Sequence, residues 1–133
     1  MKMTRKQIRE TLFLLLFRSE FHSAPEMKEQ TDCYFEEHPE IEEKDREYIE
    51  NKLDDILEKM EELDRNISDI CQGWRLNRLG KAELTLLRLS VYEILEDEDI
   101  PTGVAINEAV RIAKIYCGED AAKFVNGVLA KMA

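Results

Sequence analysis

Apolar side chains recur along most of this chain at spacings of three and four, the period of a helix with one buried face, and nowhere do they alternate as in a strand. In the first such run Ile8, Leu12, Phe13, Leu14, Leu15, Leu16, Phe17 and Phe21 cover most of a helical circumference, predicting a buried helix from about Thr4 to His22. Thr4 and Gln7 have the spacing of a capping box at its start. Pro25 suits the first turn of a second helix that reaches about Glu37, with Met27, Thr31, Tyr34 and Phe35 on its inner face. "EHPEIEEKD" follows as a loop, because Pro39 disfavours helix at His38. Ile49, Leu53, Ile56, Met60 and Leu63 then step by four, three, four and three, a third helix from about Glu43. Ile67 and Ile70 continue that period, but an unbroken helix to Trp74 would exceed the usual length, so a break is expected between Glu61 and Asn66.

"QGWRLNRLG" reads as a connector. From Lys81 to about Glu96 the chain is apolar on nearly every side of a helix, and "DEDIPT" ends it. "VAINEAVRIAKIYC" is helical to about Cys117, with Gly118 as its stop and Glu119 and Asp120 at the positive start of a last helix. That last helix holds an oddity. Asn126-Gly127 is a strong hairpin dipeptide, yet Phe124, Val125, Val128, Leu129 and Met132 around it keep a helical period. The expectation is a helix in which Gly127 admits a close neighbour and Asn126 hydrogen-bonds a backbone end around Ala105 to Asn107. Six or seven helices, no strand and no repeat give an all-α fold, read as a single domain over residues 1–133.

The composition suits a helix-rich globule: 44% hydrophobic, 36% charged, three Pro and five Gly in 133 residues. No apolar run approaches the ~20 residues of a membrane span. The opening "MKMTRKQIRETLFLLLF" superficially resembles a signal peptide, but Glu10 interrupts it and no small-residue cleavage site follows, so a retained helix and a cytoplasmic protein are expected. Cys33, Cys71 and Cys117 form no C-x-x-C pair, and His22 and His38 are the only histidines, which leaves no metal cluster, no cofactor motif and no catalytic constellation.

A net charge of −10 argues against nucleic acid until its distribution is read. Residues 26–65 hold 17 Asp/Glu against 6 Lys/Arg, a net of −11, so the remainder sums to +1. Residues 1–9 carry Lys2, Arg5, Lys6 and Arg9 and no acid: a basic tip at the start of a helix. Such a tip serves either as a solubilising terminus or as a phosphate contact. Arg88, flanked by Leu86, Leu87 and Leu89, requires a partner, and Glu108 and Glu93 are the nearest candidates for a structural ion pair.

The C-terminal half carries three ordered motifs: Leu86 to Glu93 ("LLRLSVYE"), Ile100 to Ala109 ("IPTGVAINEA") and Phe124 to Leu129 ("FVNGVL"). With Arg5, Lys6, Arg9 and Glu10 in the opening helix, and with Trp74 and "LNRLG", they resemble the NusB family of transcription antitermination factors over essentially the whole chain. The resemblance implies an all-α fold of two packed three-helix bundles plus a short extra helix. It implies binding of boxA RNA from ribosomal RNA leader transcripts together with the ribosomal protein NusE, inside an RNA polymerase antitermination complex, without catalysis or cofactors. Carried onto this chain, the RNA-binding candidates are Lys2, Arg5, Lys6, Arg9, Asp120, Lys123 and Phe124, and Glu83 is the candidate NusE contact. Family members often show three or more consecutive arginines, whereas Lys6 and Gln7 dilute that cluster here, so weaker intrinsic RNA affinity is expected. Phe124 reads equally as core, and Asp120 equally as a cap.

Two other readings compete. One is a helical protein-interaction module, acting as a homodimer or through NusE with RNA binding faded; monomer and homodimer both remain open for the free protein. The other is the RNA-binding domain of an rRNA methyltransferase, for which no room is expected after Ala133.

Overall fold

The computed structural model describes residues 2–71 and 79–133. These form seven helices: α1 (Arg5–Arg18), α2 (Ala24–Glu37), α3 (Glu43–Glu58), α4 (Met60–Cys71), α5 (Lys81–Glu96), α6 (Thr102–Tyr116) and α7 (Glu119–Ala130). Among the described residues there is no strand. The expected connector with Trp74 lies, from Gln72 to Arg78, outside the described residues. The chain divides into two compact units, Met1–Leu57 and Glu58–Ala133.

In the first unit, α1 starts at the predicted capping box. Thr4 Oγ1 accepts from the Gln7 N–H at 3.1 Å, and Gln7 Oε1 accepts from the Thr4 N–H at 2.9 Å. The helix ends four residues before the expected His22, because the N–H groups of Ser19, Glu20 and Phe21 turn back to the carbonyls of Leu16, Phe17 and Arg18 in tighter i→i−3 bonds. Leu12, Phe13, Leu15 and Leu16 are buried on α1, Met27, Tyr34 and Phe35 on α2, and Ile49, Leu53 and Ile56 on α3, all positions of the helical period. The Glu26 carboxylate accepts from the Ser23 N–H at 2.8 Å, closing the start of α2, and that bond holds Glu26 below the ordinary carboxylate range.

Arg46 joins α3 to α2. Its guanidinium bonds Glu50 on its own helix, reaches Asp32 at 3.1 Å and lies 4.9 Å from the centre of the Phe35 ring. The hydrogen bond to Glu50 raises Arg46 above its ordinary pKa, so this cation is fixed within the acidic segment.

The expected break in the long apolar period falls at Lys59, just before the predicted window, and separates α3 from α4. In the second unit α5 packs against α4, α6 and α7, which explains why it is apolar on nearly every side. Leu86, Leu87, Leu89 and Val91 are at most 1% exposed. The buried hydroxyls of Thr85 and Ser90 are satisfied within the helix, Thr85 donating to the Lys81 carbonyl and Ser90 to that of Leu86, each at 2.7 Å. Between α6 and α7 Gly118 adopts φ +101, the left-handed turn that lets one helix stop and the next begin one residue later.

Candidate nucleic-acid interface

The seven candidate RNA-contacting residues fall into two groups, one in each unit. In the first unit Lys2, Arg5 and Lys6 are exposed around the N-terminus of α1, whose first turn contains no acid. Three cations there add to the positive end of the helix dipole, an arrangement suited to phosphate. The segment is anchored by the Met3 N–H, which donates to Asp45 Oδ2 on α3 at 2.8 Å. No local spacing signalled Asp45, since the contact joins residues 42 apart.

Arg9 departs from its expected place. It is 8% exposed, so its side chain lies beneath the surface that Lys2, Arg5 and Lys6 occupy. A guanidinium so placed supports the structure and presents little of itself to a phosphate.

In the second unit Asp120 and Lys123 are exposed on the first turns of α7. Phe124 is half-buried, at the boundary between the exposed Lys123 and the fully buried Val125. Neither expected extreme, core nor free stacking surface, describes it. The roles proposed for its neighbours are corrected. Gly127 is exposed, and a Cβ built on it meets nothing within 4 Å among the described residues, so it admits no close neighbour there. Asn126 is likewise exposed, on the solvent side of α7 and not turned inward to a backbone end.

Glu83, the candidate partner contact, is half-buried and accepts from the Gly80 N–H at 3.2 Å, capping α5. Burial first, and the Glu83 charge second, push the Cys117 thiol above its ordinary pKa, which leaves this thiol protonated and unreactive at neutral pH.

Arg88 is paired, as a cation with a side chain only 11% exposed requires, and Asp64 of α4 is a partner that the sequence did not suggest. Nε donates to Oδ1 at 2.7 Å and an Nη to Oδ2 at 2.9 Å, a two-pronged bond between α5 and α4. Glu108, one of the two expected partners, receives both prongs of Arg111 on its own helix, each at 3.1 Å. Helix packing brings α4 to the Arg88 face, a contact that proximity along the chain does not encode.

Among the described residues no cluster of three or more His, Cys, Asp or Glu could hold a metal, and no helix is long and apolar enough to cross a membrane.

The NusB family model matches residues 6–133. The transcription antitermination protein NusB of Lachnoclostridium phytofermentans is 46% identical over 130 residues, which span 98% of each chain. Among solved structures, T. maritima NusB superposes with a TM-score of 0.85 at 35% identity, covering 100% of this chain and 92% of that one. The antitermination factor NusB, solved with NusE in complex with double-stranded RNA, superposes with a TM-score of 0.81 at 31% identity, covering 96% and 94%.

Proposed function

This chain belongs to the NusB family, and on that premise we propose that it is a transcription antitermination factor that binds boxA RNA of ribosomal RNA leader transcripts together with NusE, within an RNA polymerase antitermination complex. The role is one of binding, without catalysis or cofactor, and it is exercised in the cytoplasm where transcripts are made. The observation that carries the reading is the exposed cluster of Lys2, Arg5 and Lys6 at the positive end of α1, in a chain that matches the family from residue 6 to its last residue.

Each unit supplies its own contacts within the RNA-binding domain read over residues 1–133. Lys2, Arg5 and Lys6 contact phosphates, which supplies affinity but no sequence preference. Lys123 adds a cation on α7, the half-exposed edge of Phe124 offers an unstacked base a ring, and Asp120 moderates affinity by repulsion. Arg9 holds α1 in place. Glu83 meets NusE with the part of its side chain that capping leaves accessible.

A filter-binding titration of boxA-type RNA against a scrambled control, with and without NusE and at two salt concentrations, tests the reading. Tighter binding of boxA, strengthened by NusE and weakened by salt, is the expected result; equal binding of boxA and scramble in both arms overturns it. A protein-interaction reading gains support from the exposed apolar side chains of α6, where Val104, Ile115 and Tyr116 are 45%, 58% and 45% exposed. It predicts NusE binding or self-association with no RNA preference, an outcome that the same titration and sedimentation of the free protein separate.

A further inference from the structure

A cavity of about 200 Å3 opens in the first unit, between the early turns of α1, the end of α2 and the loop beyond it. Gln7, Glu10 and Thr11 line it from α1, Tyr34 and His38 from the end of α2, and Glu40 from the loop. The rings of Tyr34 and His38 stack at 4.2 Å between centroids and 20° between planes, a preformed aromatic wall. His38 Nδ1 lies 2.8 Å from the Tyr34 carbonyl oxygen. A carbonyl only accepts, so Nδ1 carries the hydrogen, and Nε2 of the neutral ring is an acceptor. With the carboxylates of Glu10 and Glu40 the wall is therefore rich in acceptors beside an aromatic face.

Such a wall suits a planar group that carries hydrogen-bond donors, and two kinds exist in biology: a guanidinium and an amino-bearing nucleobase. The surroundings favour the base. Gln7 and Met3 line the cavity, and their chain neighbours Lys6 and Lys2 are exposed beside it, Lys6 about a quarter turn around α1 from Gln7. Those ammonium groups repel an arriving cation and attract a phosphate. A nucleotide has both the anionic phosphate for the lysines and the donor-bearing edge for the carboxylates.

We propose that this cavity receives an unstacked RNA base with an exocyclic amino group, adenine, cytosine or guanine, and rejects uracil, while Lys2 and Lys6 hold the adjoining phosphates. The proposal rests on the RNA-binding reading above and adds to it a place where a base is selected. An amino group donates to the carboxylates, as cytosine N4 does to Glu or Asp in groove readout; uracil presents a carbonyl oxygen at the same point and meets repulsion.

The test is fluorescence anisotropy with labelled short oligouridylate and with copies in which one uridine at a time is replaced by cytidine. In the wild-type protein one position gains roughly tenfold in affinity from cytidine. Glu10→Gln and Glu40→Gln each abolish that gain while keeping oligouridylate binding and its salt dependence; Glu40 is exposed on a loop, so its variant folds even if that of Glu10 does not. A cytidine preference that survives in Glu40→Gln and in a folded Glu10→Gln, or no preference at any position in the wild type, overturns the proposal and leaves the antitermination reading intact. Failure of oligouridylate, its cytidine copies and boxA RNA to bind at all overturns both. As a direct readout, cytidine monophosphate shifts the His38 ring resonances and uridine monophosphate does not; shifts from N-acetylarginine amide in place of the nucleotide would assign the cavity to a protein side chain.

Discussion

At Gly127 the absent side chain serves no neighbour among the described residues, so only backbone freedom distinguishes it from alanine. Glycine inside an exposed helix face costs about 1 kcal/mol relative to alanine, and Gly127→Ala is therefore expected to stabilise the protein by that amount, read as an increase in the denaturant midpoint at constant slope. A lowered midpoint would show that the methyl group meets an obstacle. Asp64 presents the opposite case. Removing its charge takes a two-pronged partner from the Arg88 guanidinium, which is 11% exposed beside a carboxylate 29% exposed. Exposed pairs contribute at most about 1 kcal/mol and breaking buried ones costs about 3–5 kcal/mol, so Asp64→Asn at this intermediate site is expected to cost about 2 kcal/mol in chemical denaturation. Glu108→Gln disturbs the pair with Arg111 within α6 and is expected to cost less than half of that in the same measurement. The ranking of the two variants tests whether Asp64 is the acid on which Arg88 depends most.

Helix identity was legible in the sequence wherever the period was long, and helix ends were legible wherever a cap had a local signature. The Thr4–Gln7 box, Pro25 and Gly118 each act through neighbours a few residues away, and α1, α2 and α7 begin where those signals put them. The end of α1 was missed because Phe21 continues the apolar period after the backbone has tightened out of it; the ring is 57% exposed. Partners across helices were not legible. Asp45 reaching Met3 and Asp64 reaching Arg88 depend on packing, and nothing in the spacing of 42 or 24 residues encodes it. Gly118 tests the local signals directly. At φ +101 an L side chain is strained even though open space surrounds it, so Gly118→Ala is expected to destabilise by about 1–2 kcal/mol, seen as a lower Tm with the helical signal retained below the transition. Gly127→Ala changes the same residue type in the opposite direction, which makes the pair a control on each other.

For the whole molecule the sign of the net charge misleads, because the −11 of residues 26–65 is localised and partly offset by a cation outside it, Arg88 on Asp64, while the basic tip stands exposed at a helix start. Affinity for RNA then depends on how many cations reach phosphate and not on the total. Each phosphate neutralised on a single strand contributes about −0.7 to the slope of log K against log salt. If Lys2, Arg5 and Lys6 each make one such contact, replacing all three by alanine is expected to flatten the slope by about 2, with folding unchanged, since all three side chains are exposed. Arg9→Ala is expected to behave differently: its side chain is 8% exposed, so the loss falls on thermal stability, and the salt slope stays within about 0.5 of wild type. Filter binding over a series of salt concentrations, paired with thermal melts of the same two proteins, separates the outcomes. A slope that responds to Arg9 as strongly as to an exposed cation would mean that RNA binding brings this guanidinium out of its buried position.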